Sequence, residues 1–140
     1  MAHTIHVDIV SAEGEIYSGE ASMVFAPGSQ GELGIAPRHA PLLTTLKAGE
    51  VRVQAADGQP EHVFYVGGGV MEVQPHLVSV LADTAARAQD LDEAAAMAAR
   101  QRAEEAVRDR TDKIEVAEAQ AELLRAMAQL KAIERLRKKR

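Results

Sequence analysis

The chain has no cysteine and no tryptophan, and only two tyrosines and two phenylalanines among 140 residues. Without thiols there is no disulfide framework, no thiolate metal site and no cysteine nucleophile, and the redox compartment stays open. Aromatics at 3% leave no platform for stacking bases, and a net charge of −5 works against tracking a phosphate backbone. Nucleic acid is therefore not an expected partner. No run approaches the roughly 18 apolar residues of a membrane span. The start, Met1-Ala-His-Thr-Ile-His-Val7, lacks the basic and then apolar stretches of a leader. The expectation is a soluble, cytosolic protein with no direct membrane insertion.

Glycine and proline are confined to the front of the chain. All ten glycines and all five prolines lie at or before Pro75, and the stretch 90–140 contains neither. Charge divides at nearly the same place. Residues 1–82 carry three basic against nine acidic side chains, net −6, whereas 83–140 carry thirteen against twelve, net +1. Two structural units are expected, 1–84 and 85–140.

The front unit reads as strands. The stretches 4–10, 22–26, 51–55, 62–66, 70–73 and 77–81 are short, rich in β-branched residues and partly alternating. Turn signals at Glu13-Gly14, Asp57-Gly58 and Gln74-Pro75-His76 separate them, so neighbours should pair antiparallel. Spacing of this kind points to a flattened antiparallel β-sandwich of roughly eight to ten short strands. Gly67-Gly68-Gly69 inside strand-like sequence implies a bulge or a close approach of another backbone.

The tract from Phe25 to Leu46 packs three glycines and three prolines around Glu32, Arg38 and His39. Such punctuation predicts a shaped surface loop that is neither helix nor central strand. Glu32 reads as a solvated carboxylate or a contact, and His39 as a structural histidine or a contact. Gly28, Gly31 and Gly34 are not a phosphate cradle, because no Lys-Ser/Thr follows them. No histidine pair stands at ligand spacing, no nucleophile elbow occurs, and the adjacent Glu104 and Glu105 read as a solvated helix face. Neither a metal site nor a catalytic residue is expected.

The back unit reads as two helices forming an antiparallel hairpin, making the whole α+β. Asp90-Leu-Asp-Glu93 and Asp112-Lys-Ile-Glu115 have the capping-box shape. The first helix offers Leu91, Ala95, Ala98, Ala99, Ala103 and Ala106 as its apolar side. The second carries Val116, Ala119, Leu123, Met127, Leu130 and Ile133. The connector 110–113 holds no glycine, so the pair could straighten into one helix, about 45 residues reaching roughly 70 Å. Because a buried alanine methyl is worth only about 0.8 kcal/mol, docking should be shallow. A two-state element, compact or extended, is the resulting expectation. The basic end Arg135-Leu-Arg-Lys-Lys-Arg140 complements the helix dipole.

Four fragments in order resemble one family. They are Pro27-Gly-Ser-Gln-Gly-Glu-Leu-Gly-Ile35, the stretch 38–50 beginning Arg-His-Ala-Pro-Leu-Leu, Phe64-Tyr-Val-Gly-Gly-Gly-Val-Met-Glu-Val73, and Val80-Leu-Ala-Asp-Thr-Ala85. Together with the Ala-rich helical pair they are similar to the epsilon subunit of bacterial F-type ATP synthase over essentially the whole chain. The resemblance implies a non-catalytic rotor subunit in the central stalk, peripheral at the cytoplasmic face of the inner membrane. Its sandwich would clamp the gamma subunit and rest on the polar loops of the c-ring, with Glu32 at the c-ring and His39 at the foot of the stalk. Its hairpin would rise to restrain ATP hydrolysis, bringing Arg135, Arg137, Lys138, Lys139 and Arg140 to the alpha/beta catalytic head.

Some members bind ATP on the hairpin through an aliphatic residue, Asp, two variable residues, Arg and Ala. Leu91, Asp92, Arg102 and Arg125 match that set here, but Ala95 and Gln129 stand where arginines are expected. Losing two cations removes charge-assisted bonds of about 1.5–3 kcal/mol each, so ATP binding should be weak or absent and no cofactor is expected. A free-standing ligand sensor or adaptor is the alternative reading. A chaperone-like assembly is a third.

Overall fold

A computed structural model describes residues 3–56, 58–109 and 113–138. It divides into two compact units, Met1–Arg87 and Ala88–Arg140.

Among the described residues the front unit contains seven strands: β1 Ile5–Ser11, β2 Gly14–Gly28, β3 Gly31–Ile35, β4 Leu42–Ala55, β5 His62–Gln74, β6 Leu77–Ala82 and β7 Ala85–Arg87. They are fewer and longer than the eight to ten short strands expected. The segments 62–66 and 70–73 are one strand running through the three glycines, and β2 and β4 are 15 and 14 residues long. Long strands suffice because β2 bends, with register shifts between Ala21 and Met23 and again between Phe25 and Gly28. It pairs with β1 along its first half and with β3 and β4 along its second. The path β1-β6-β5-β4-β2 closes through the β1–β2 pairing, leaving β3 on the outside of β2, while β7 pairs only with β5.

Closure also produces one exception to antiparallel pairing. β1 and β6 run parallel, His6 opposite Leu77 through Val10 opposite Leu81. They are not joined by a turn, so hairpin geometry does not govern their direction.

Inward positions alternate along the strands. Ile5, Val7 and Ile9 of β1, Val24 of β2, Val51 and Val53 of β4, Phe64, Met71 and Val73 of β5, and Val78 and Val80 of β6 share one core. Fully burying a side chain of this size stabilises by about 1.5–3 kcal/mol. Phe64 packs with Tyr17 at 5.2 Å between ring centroids, and the Arg87 guanidinium lies 5.4 Å from the Phe64 ring. Gly69 marks a close approach: a Cβ there would stand 2.2 Å from the Leu81 carbonyl oxygen, and its φ is +140°. The glycine run is thus a close approach of the paired β6 backbone.

The tract 25–46 is not all loop. Its start closes β2, its middle forms β3, and Leu42–Leu46 opens β4, which lies between β5 and β2. Glycine and proline are accommodated because β3 lies outside the closed path and the prolines 37 and 41 fall in the connection between β3 and β4.

In the back unit a short 3₁₀ turn, Ala88–Asp90, precedes α1 Glu93–Asp109 and α2 Lys113–Lys138. The cap of α1 is Asp92, not Asp90: its Oδ1 accepts from the Ala95 N–H at 3.1 Å. Asp90 is used up in the 3₁₀ turn. The buried face of α1 is Ala96 and the expected Ala103, while Ala95 and Ala98 of the expected side are exposed. On α2, Ala119, Ala126, Ala128 and Ala132 are buried, while Met127 of the expected stripe is 45% exposed. An Arg137–Glu93 ion pair joins the end of α2 to the start of α1, so the helices are antiparallel. Asp57 of the expected hairpin turn, Asp112 of the second capping box and 110–112 of the connector lie outside the described residues.

Candidate functional site

Glu32 sits on β3, exposed, and opposite Pro27 of β2. Its Oε1 accepts from Arg52 Nη2 at 2.6 Å. Arg52 lies on β4 opposite Phe25, spreads its guanidinium 4.3 Å from that ring's centroid, and stands 3.6 Å from Glu61 Oε2. Glu32 is therefore a positioned carboxylate. Arg52 was overlooked in the sequence; its outward place between Val51 and Val53 was the available signal, but its partner comes from a strand 20 residues away.

His39 is half-buried, with Nδ1 2.7 Å from the Ala40 carbonyl oxygen and its N–H donating to the Ala36 carbonyl. It shares no hydrogen bond with Glu32. Between them in the chain, Arg38 adopts φ 67°, a left-handed conformation disfavoured for a residue with a Cβ. Its N–H donates to the Pro75 carbonyl at 2.9 Å, tying the loop to the β5–β6 turn.

The outward residues of the closed path form a second feature. Val10, Leu81, Val70 and Thr45 face one another across β1, β6, β5 and β4. The neighbouring row is Asp8, Ser79, Glu72 and Leu43. Leu43, Leu81 and Val70 are 69%, 55% and 37% exposed. Val70 and Leu81 are direct cross-strand neighbours and Leu43 lies in the adjoining row on β4, and exposed aliphatics grouped in this way mark an interaction surface more than scattered ones do.

A polar corner borders this face on the first hairpin, and the sequence did not disclose it. His6 lies opposite Glu20 and Asp8 opposite Ser18. His6 Nδ1 is 3.1 Å from Glu20 Oε1, His6 Nε2 is 2.9 Å from Asp8 Oδ1, and Ser18 Oγ donates to Asp8 Oδ1 at 2.7 Å. The Glu20 carboxylate, and then Asp8, hold the His6 pKa above its ordinary value of 6.5 against the opposing effect of partial burial. His6, and then Thr4, hold the Glu20 carboxyl below its ordinary value of 4.5. Among the described residues no group of three His, Cys, Asp or Glu side chains is arranged to hold a metal ion.

In the helical unit, Leu91 is half-buried ahead of α1, the Asp92 carboxylate is engaged as the helix cap, Arg102 is exposed and Arg125 is half-buried. A groove of about 760 Å³ between the helices is lined by Met97, Arg100, Arg108, Leu130 and Arg137 among others, and by none of those four. Of the basic end, Arg137 pairs with Glu93 and Lys138 with Glu134 at 3.3 Å, and Arg135 is half-buried. Lys139 and Arg140 lie outside the described residues.

Residues 4–88 match the family described as the ATP synthase delta/epsilon chain β-sandwich domain, and residues 89–134 match its long α-helix domain. The fold is shared with a chain of the Euglena gracilis mitochondrial ATP synthase, at a TM-score of 0.82, 16% identity, and coverage of 93% of this chain and 81% of that one. A chain of the Tetrahymena thermophila mitochondrial ATP synthase central stalk and c-ring superposes at 0.63 with 15% identity, over 92% and 96% of the two chains. The ATP synthase epsilon chain of Nitrosococcus oceani is 66% identical over 99% of both chains. The chain belongs to the ATP synthase epsilon chain family. Among the described residues no helix is long and apolar enough to cross a membrane.

Proposed function

We propose that the chain is a non-catalytic rotor subunit whose sandwich couples the gamma stalk to the polar loops of the c-ring, and whose helices restrain ATP hydrolysis. The observation carrying this reading is the outward patch of Leu43, Val70 and Leu81, three large aliphatics on adjacent strands. A stalk docked there would bury about 1,000 Å² or more. Glu32, set at its angle by Arg52, contacts the c-ring from the β3 side, and His39 stands at the foot of the stalk. The complex is peripheral at the cytoplasmic face of the bacterial inner membrane.

Switching between compact and extended helices is supported by the alanine-only burial in the helical unit. In the extended state the basic end reaches the alpha/beta catalytic head, which requires Arg137 to leave Glu93. Binding of ATP by the hairpin is weak or absent, because Ala95 and Gln129 supply no cation and the Asp92 carboxylate is occupied as a cap.

The test is ATP hydrolysis by a catalytic complex stripped of its own epsilon subunit. Adding the full chain should slow hydrolysis, and the Leu43→Asp, Leu81→Asp double variant should fail to bind while keeping its fold. Full binding by that variant refutes the docking face. Failure of the unaltered chain to bind favours a free-standing sensor instead.

A further inference from the structure

The polar corner of the first hairpin presents an imidazole between two carboxylates. His6 Nδ1 faces Glu20 and Nε2 faces Asp8, and a neutral imidazole has one N–H to donate, whereas the imidazolium has two. Only the protonated ring satisfies both oxygens. We propose that His6 is a proton-operated clasp that ties β1 to β2.

Ser18 makes the two states discrete. Its hydroxyl lies 2.7 Å from Asp8 Oδ1 and 3.0 Å from His6 Nε2. With the ring protonated, Ser18 and Nε2 both donate to Asp8. When the ring loses its Nε2 proton, the bare lone pair faces the carboxylate, and the hydroxyl turns to donate to the nitrogen. Asp8 then loses both donors at once, while Nδ1–H remains on Glu20. The groups facing the imidazole are Asp8 from its own strand, Glu20 and Ser18 from β2, and Leu77 from β6, while Thr4, just ahead of β1, bonds the Glu20 carboxylate. The turn before β6 contributes the His76 carbonyl, which accepts the His6 backbone N–H at 3.0 Å. The facing charges from these elements are the two carboxylates, which is why the imidazolium is favoured over its ordinary balance.

The direction of the pH effect follows. A histidine pKa raised on folding adds stability that is complete below the unfolded value near 6.5 and is lost as pH rises through the folded value. A depressed glutamate adds stability that is present above about 4.5 and is lost as pH falls through its folded value. The clasp is closed between these limits and opens on the alkaline side. It borders the outward face assigned above to the stalk, but does not depend on that assignment.

The test is an NMR titration of the His6 ring in the full chain, with a chelator present, alongside the Glu20→Gln and Asp8→Asn variants. The unaltered chain should show a midpoint above 6.5, and each variant should bring it down. Thermal unfolding adds a readout of the tie itself: replacing His6 by Asn should lower the midpoint by about 1–3 °C at pH 6 and leave it nearly unchanged at pH 9. A ring midpoint at or below 6.5, one that neither variant moves, or a thermal difference independent of pH overturns the proposal.

Discussion

The two units solve the problem of burial with different materials. In the front unit the largest fully buried side chains are Phe64, Met71, three isoleucines and a set of valines, and Ala21 and Ala26 are buried with them. In the back unit every buried residue described is an alanine: 88, 96, 103, 119, 126, 128 and 132. At about 0.8 kcal/mol per methyl against about 1.5–3 for a valine or isoleucine, each buried position stabilises the sandwich more than the hairpin. Alanine contributes high helix propensity in exchange, so each helix can persist on leaving its partner.

The largest challenge to this contrast is Phe64→Ala. Phe64 has no exposed surface and touches Tyr17 and the Arg87 guanidinium. Truncation should cost about 3–5 kcal/mol and speed amide exchange throughout β1 to β6. A cost under 1 kcal/mol, read by urea unfolding, would mean the sandwich is held some other way.

A smaller effect is expected for Ala103→Gly on the buried face of α1. Lost propensity and one lost methyl amount to about 1–2 kcal/mol. Hydrogen exchange should report it in α1 and α2 alone, with β4 and β5 unchanged. Spread of the effect into the strands would erase the division between a rigid and a loose unit.

The smallest effect is a gain. Arg38→Gly removes a Cβ from a left-handed position at φ 67° and should raise the thermal midpoint, equivalent to at most about 1 kcal/mol. The same substitution removes an exposed cation beside His39. If assembly with the stalk weakens while the midpoint rises, the strain at Arg38 is retained for contact; a fall in the midpoint would show the arginine to be structural.

Legibility differed by element for physical reasons. Alternation exposed the strands whose faces differ in burial, such as 4–10 and 77–81, because a period of two is local. It missed β3, whose Gly31 and Gly34 belong to strand and turn at once; Gly31 has φ 137°, and a Cβ on Gly34 would press on Met23. The first half of β2 was also missed, since Gly14, Glu15, Ser18, Gly19 and Glu20 bring few apolar residues to a stretch that bends. The helix cap was misplaced by two residues because Asp90 and Asp92 are both competent, and only the 3₁₀ turn ahead of α1 decides between them. Glu32 is legible as an exposed carboxylate, but its partner Arg52 and the whole His6 corner are not, because each is assembled across paired strands from residues far apart in sequence.

By itself the sequence determined the division into a strand unit and a helical unit, the class of each, the alanine character of the hairpin and the family. Those properties reside in composition, in periodicity and in the order of short fragments, all of which are local. The closed path with its parallel β1–β6 pair, the close approach of backbones at Gly69, the Glu32–Arg52 pair and the imidazole set between Asp8 and Glu20 were decided by tertiary structure alone. Each depends on which residue faces which across strands, and a register slip of one residue would send every one of those side chains to the opposite face.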